Sequence, residues 1–495
     1  MTEWEQLSTR IDEIDAIGGA LALLEWDQQT YLPPGAGGVR GKQGATLGRI
    51  LHERFTDPEV GRWLAALEGA ELEATQRRAV DVAARKYRRS TCLPSRLVED
   101  LAHARSAGFA GWIKAREVND FAPFAEPLQR LIDLTREQAE RQGSPGQHPY
   151  DALLEEYDPG STLADLRPMF ERLGRELNTF LDAIAGRPHP DAFGGALDVD
   201  GQRKLTERIL TDLGFDRKVG RLDLSEHPFT VGMTPEDVRI TTHFQADNFL
   251  AALGGTIHEC GHAMYEQGVP ISLAGTGLDK AAGMGIHESQ SRFWENFIGR
   301  SLPFCRYLAP RMAGLWPMQD ISPDRLYGAM NRVERSLIRI FADEATYNLH
   351  IIARFELEVG ILEGRLNAVD LPDAWDDAYR RIVGVVADNR KQGVLQDVHW
   401  CGGMIGYFPS YTIGNLYAAS FGAKIQEDIP ELWSQVEAGD FSKVLAWLRT
   451  HVHAKGHLRD APEIFREVVG DRDPVADLVD HLWRRHGALY GVSRG

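Results

Sequence analysis

No stretch of this chain holds the roughly 18 unbroken apolar residues that a membrane-crossing helix needs. Cysteine is scarce, with four in 495 residues (Cys92, Cys260, Cys305 and Cys401). They are too few for a disulfide framework and too far apart for a structural zinc site, so the expectation is reduced, buried thiols. Positive charge is also in deficit: 55 basic residues stand against 72 acidic ones, for a formal charge of −17. That balance disfavours broad contact with phosphate backbones or anionic lipid. The amino-terminal stretch is acidic where a secretory signal would be basic, and its apolar run is short and interrupted. A cytoplasmic protein is therefore expected, with neither nucleic acid nor membrane as a partner.

What the chain does have is a globular composition, 43% hydrophobic and 26% charged, and helical periodicity over most of its length. Glu71 to Ser90 and Ser161 to Arg187 are examples. The second opens with Thr162 and Asp165 in capping-box spacing and stops at Gly186 and Pro188. One region departs from this pattern. Arg221 to Phe244 carries short β-branched and aromatic runs split by Gly232 and Pro235, which predicts a hairpin or small sheet. A helix follows over about residues 247–267, then a glycine-rich segment, 268–285, that lacks the pattern of a phosphate cradle and reads as a mobile loop. From His287 to about Arg365 the pattern is helical again, broken near Pro303, Pro317 and Pro323, and it stays helical to the end apart from a glycine- and tyrosine-rich turn at 399–415. The expected architecture is one mainly α domain over 1–495, with two lobes round a cleft. Its parts are a helical scaffold (1–220), an active-site region (221–415) and a helical end (416–495).

The stretch GGTIHECGHAMYEQG, Gly254 to Gly268, carries the chemistry. Each helical residue advances about 100°, so His258 and His262 fall about 40° apart on one face, the spacing that two zinc ligands from one helix require. Glu259, beside His258, can reach a water on the metal without binding the metal itself, the general-base position of H-E-x-x-H peptidases. Cys260 points to the other side of the helix and reads as a small core residue. The competing reading is an amphipathic helix that matches a short pattern by chance, and a third ligand decides between the two. Metzincins need a glycine and a histidine where this chain has Tyr265 and Gly268, so that class is excluded. A glutamate on a following helix is the alternative, and Glu288, 26 residues after His262, opens such a run. Glu295, seven residues further on the same face, reads as a solvated group or as a support behind the ligands. His258, His262 and Glu288 would leave a fourth position open for water.

Six segments together resemble the carboxypeptidase Taq family of metallocarboxypeptidases: HPF (227–229), DVRIT (237–241), HECGH (258–262), HESQ (287–290), IRIFAD (338–343) and GVLQDVHW (393–400). They occur in the family's order with compatible gaps. The resemblance implies a mainly α-helical, gluzincin-type fold with a deep cleft, a homodimer, and one zinc or cobalt ion per chain. It also implies release of single residues from peptide carboxyl termini with broad specificity.

An exopeptidase has to hold a terminal carboxylate, which a planar guanidinium does with paired hydrogen bonds. Arg339 and Arg239 lie in the family's motifs and are the candidates, Arg339 first; the ordinary alternative for Arg339 is an i,i+4 pair with Asp343. The developing oxyanion needs a donor. By analogy with related zinc peptidases it is assigned to Tyr411, with His399 orienting the scissile carbonyl. Tyr407 is a second candidate whose alternative is packing, and His399 could equally be a satisfied core histidine. His227, in HPF, is assigned to the substrate path or to a backbone contact, and His287 to support of Glu288. His451 and His453 are expected at the surface. Two rivals stand beside the carboxypeptidase: an endo-acting zinc oligopeptidase, and a non-catalytic peptide-binding protein, against which Glu259 speaks.

Overall fold

The computed structural model describes residues 1–193, 196–316 and 321–494. Helices form where the apolar periodicity places them. The stretch expected at 71–90 is helical over Ala74–Thr91. That expected at 161–187 runs Leu163–Ile184, capped by the Thr162 hydroxyl, which accepts the Asp165 N–H. Its buried side chains Leu166, Phe170, Leu173, Leu177, Phe180 and Ile184 recur every three or four residues, the stripe of a helix with one face in the core. Among the described residues no helix is long and apolar enough to cross a membrane.

The chain forms two compact units, each assembled from three separated segments: 1–90, 191–330 and 417–472 in the first, and 91–190, 331–416 and 473–495 in the second. In the first unit, Leu7, Ile11, Val60, Leu64, Leu67 and Val80 pack the helices Glu3–Thr30, Pro58–Leu67 and Ala74–Thr91 together. The expected β region is a three-stranded sheet of β1 (Gly220–Leu224), β2 (Thr230–Thr234) and β3 (Asp237–Thr242). Its order is β1-β3-β2, with β3 antiparallel to β2 and parallel to β1. Val238 and Ile240 of the central strand are fully buried, two residues apart on one face. The helix Phe249–Glu266 packs on β2 and β3 on one side and on the helix Met284–Arg292 on the other. A six-residue π-helix, Phe293–Ile298, follows that second helix directly.

Four expectations are corrected. The helical pattern read through to 365 breaks between Met330 and Tyr347, where the described chain holds only a 3₁₀ turn, Arg339–Phe341. The Asp343 carboxylate explains the break: it accepts the backbone N–H groups of Glu334, Ala345 and Thr346 and so ties an irregular chain. Tyr411, expected on a turn, lies in a helix that starts at Pro409, a residue whose fixed φ suits the first helical position. His453 is wholly buried, not superficial, with Nε2 2.9 Å from Gln290 Oε1. Cys92 is only half-buried; Cys260, Cys305 and Cys401 are buried and free, as expected.

Candidate metal centre and the arginine cluster

In the first unit one helix carries His258, Glu259 and His262, and the next carries Glu288. The helices approach closely because Gly261 faces the second one. A Cβ there would lie 2.6 Å from the Gln290 carbonyl oxygen and 2.7 Å from Ser291 Cα, contacts that no side chain tolerates. Glu288 Oε2 consequently sits 3.4 Å from His262 Nε2 and 3.7 Å from His258 Nε2. Tetrahedral ligands at about 2.0–2.1 Å from zinc lie roughly 3.4 Å apart, so the three donors have the spacing of a metal shell. All three ligand atoms fall within 4.8 Å of one another. Burial, reinforced by the neighbouring His287, pushes the His262 pKa down to about 3, so its ring is neutral, the form that binds a metal. Burial also works against charge on Glu288, but Arg292 and then His258 outweigh it and hold the carboxyl well below its ordinary value.

The surroundings fix these side chains. His258 Nδ1 lies 2.8 Å from Glu295 Oε2, which leaves Nε2 to face the centre; of the two readings of Glu295 the structure has the buried one, against a candidate ligand, and not the solvated one. His262 has a different support: its ring stacks on His287 at 4.3 Å, and His287 Nε2 is 2.9 Å from Glu266 Oε1. Glu259 is 9% exposed, and its Oε2 accepts the Thr230 hydroxyl of β2 at 2.7 Å. Burial lifts its pKa, against the pull of His258 and of that hydrogen bond. His227 is exposed in the β1–β2 connection, and its carbonyl accepts the Ser225 hydroxyl. Arg239, on β3, closes both ends of its fork on Asp237 at 2.9 Å and lies over Trp26.

The second unit gathers the other candidates. Arg339 donates from Nε and Nη2 to Asp397 Oδ1 at 3.1 and 3.0 Å, and from Nη1 to the Tyr347 hydroxyl at 2.9 Å. The alternative weighed for Arg339, a pair with Asp343, does not form, because the residue stands on a 3₁₀ turn instead of an α-helix. Arg339 lies over Tyr411, 5.1 Å from its centroid, and the Tyr411 hydroxyl is 3.5 Å from His399 Nε2. Tyr407 packs 5.4 Å from both His399 and Tyr411. Arg354 shares Asp397, and its remaining N–H groups go to the His350 carbonyl, the Tyr379 hydroxyl and Gln396. All five of its donors are thereby used, whereas Arg339 has used three.

A paired-histidine helix with a glutamate on the next one is a metallopeptidase pattern, and the family described as Carboxypeptidase Taq (M32) metallopeptidase matches residues 6–486. The chain belongs to this family. It is 42% identical to thermostable carboxypeptidase 1 of Thermus thermophilus over 95% of both chains. Carboxypeptidase 1 of Bacillus subtilis is 34% identical, again over 95% of each. The crystal structure of the M32 carboxypeptidase of Deinococcus radiodurans superposes with a TM-score of 0.96 at 37% identity, covering 99% of this chain and 100% of that one. The protein is an M32 metallocarboxypeptidase, and its family implies a divalent metal for the donor set just described.

Two residues round the candidate metal centre, Thr230 and Arg292, and one in the second unit, Asp397, escaped sequence reasoning in the parts they play. A signal existed for Arg292, which sits four residues after Glu288. For Thr230 and Asp397 only the tertiary fold supplies the partner. Gly261→Ala is expected to weaken the centre by separating its two helices. Overpacking of this kind costs about 1–3 kcal/mol, so urea unfolding should show that loss of stability and metal analysis should show a substoichiometric ion.

Proposed function

We propose that this metallocarboxypeptidase holds one divalent ion, zinc in first place and cobalt as the alternative, on His258, His262 and Glu288. We propose further that it releases single residues from peptide carboxyl termini with broad specificity. The observation that carries the assignment is the convergence of three donors at metal-ligand spacing on two helices that a glycine allows to touch. A divalent ion bound there supplies Lewis acidity and lowers the pKa of water towards neutrality. Glu259 takes the proton of the attacking water and returns it to the leaving amine. The Thr230 hydroxyl supports that role by holding one carboxylate oxygen, which leaves the other to work.

Tyr411 donates to the oxyanion and His399 orients the scissile carbonyl. Burial, with Arg339 and Arg354 adding to it against Asp397, brings the His399 pKa down to about 4, so near neutral pH the ring is uncharged and offers a single N–H. Tyr407 and His227 are assigned to contact with the peptide. Arg339 grips the terminal carboxylate with the donors it has not used, while Arg239, already closed on Asp237, is the reserve. A homodimer and a cytoplasmic location complete the proposal. The family resemblance supports the first, and light scattering on the purified chain tests it.

Arg339→Lys separates the carboxypeptidase from an oligopeptidase. Lysine keeps the charge but not the planar two-point contact, so a charge-assisted hydrogen bond of about 1.5–3 kcal/mol is lost, roughly ten- to over a hundred-fold in kcat/KM. A peptide with a free carboxyl terminus should suffer that loss, and its amidated analogue, already poor with the wild type, little further. Equal losses on both would show that Arg339 only supports the fold, and the carboxylate would pass to Arg239.

A further inference from the structure

One guanidinium touches a proposed ligand, Glu288, and the carboxylate that supports another, His258. Arg292 stands at the end of the Glu288 helix, one turn after Glu288 and immediately before the π-helix. Its Nε donates to Glu288 Oε1 at 2.7 Å, and its Nη1 donates to Glu295 Oε2 at 3.1 Å. That same Glu295 oxygen accepts from His258 Nδ1 at 2.8 Å. The other Glu295 oxygen is held by Arg300 Nη2 at 3.3 Å, and Arg300 is itself anchored to the Met330 carbonyl at 3.1 Å. The arrangement is lopsided, because His262 leans on a stacked ring and, among the described residues, no carboxylate backs its Nδ1.

We propose that Arg292 is a positioning residue that keeps Glu288 a one-oxygen ligand and, through Glu295, locks the ring of His258. The inference rests on Glu288 being the third ligand. A carboxylate can hold an ion through one oxygen or both, and here Oε1 is engaged by Arg292 while Oε2 faces the two imidazoles. Holding Glu288 to one oxygen keeps the coordination number low and leaves room for water and substrate. Arginine suits the task because Nε and Nη1 donate from two different edges of one rigid plane, to two different carboxylates. The single nitrogen of a lysine cannot occupy both places. An ordinary helix salt bridge of i,i+4 spacing would contribute slightly to stability and nothing to coordination.

The test compares Arg292→Lys, Glu295→Gln and their combination, purified and loaded with zinc or with cobalt(II) as a spectroscopic probe. Arg292→Lys should lower metal affinity, measured against a competing chelator, by about 10–100-fold, the usual worth of a hydrogen-bond partner to a metal ligand. Its cobalt spectrum should move towards higher coordination as the second Glu288 oxygen closes on the ion. Glu295→Gln should lower affinity while leaving the coordination signature unchanged, because it frees His258 but not Glu288. The double variant should lose less than the product of the single losses, since both act through one connected network. Affinity within threefold of wild type in Arg292→Lys, an unchanged cobalt spectrum, or fully multiplicative losses would each overturn the proposal. Glu288→Ala serves as the control: if that variant keeps its metal, the ligand assignment has failed, and if it loses metal while Arg292→Lys does not, only the role of Arg292 has failed.

Discussion

Glu259→Gln is expected to retain a full complement of metal and to lose about 10²–10⁴-fold in kcat, the usual contribution of a positioned general base. The amide is close in size to the carboxylate, and the Thr230 hydroxyl, which donates to Glu259 Oε2 at 2.7 Å, can accept from an amide nitrogen in the same place. The buried side chain therefore keeps its partner, and the two imidazoles beside it have no reason to move. What disappears is the capacity to take a proton from water and return it to the departing amine. Metal analysis and turnover on one preparation decide the matter. Metal lost in proportion to activity would place Glu259 among the ligands and overturn its role as base.

Glu288→Ala should fail in the opposite order, losing the ion first and activity as a consequence. Hydrogen-bond partners of metal ligands are already worth about 10–100-fold in affinity, so deletion of a ligand should exceed about 100-fold. The change also strips Arg292 of one of its two carboxylates, and an under-compensated buried charge destabilises the fold. Glu288→Gln separates the two effects, because it keeps the volume and a hydrogen-bond acceptor for Arg292 while removing the anionic ligand. Both variants should emerge from dialysis with little metal. A stoichiometric, tightly held ion in Glu288→Ala would remove Glu288 from the shell.

The reach of the sequence follows from which interactions are local. The four-residue spacing of His258 and His262 is a property of any helix, and a following helix is enough to nominate Glu288, so this donor set was legible before any fold was known. Burial of His453 was not, because alternate spacing says nothing about a ring that the tertiary fold sets against Gln290 and Tyr265. The supposed Arg339–Asp343 pair failed for a related reason. An i,i+4 argument presumes a helix, and Asp343 spends its carboxylate on backbone N–H groups that keep the segment irregular. Which segments make up each compact unit was equally hidden, since each joins three that lie far apart in the chain. Thr230 and Glu259, 29 residues apart, met only once β2 had packed against the motif helix.

The π-helix at Phe293–Ile298 turns the arrangement of Glu288, Arg292 and Glu295 into a matter of counting. A π-helix is an α-helix carrying an extra residue per turn, and it begins just where Arg292 ends and before Glu295 arrives. Removing Phe293 or Trp294 would let the segment relax to ordinary winding and turn Glu295 about the helix axis relative to His258, with every charged residue of the network still present. Lineages descending from this protein should thus tolerate exchanges of apolar residues here far better than a change of one in the number of residues. The glycine-rich stretch at 268–285 carries no ligand but is no free spacer between the two helices: Leu273, Leu278 and Ala282 are buried, and the Leu278 carbonyl accepts the His457 N–H at 2.9 Å.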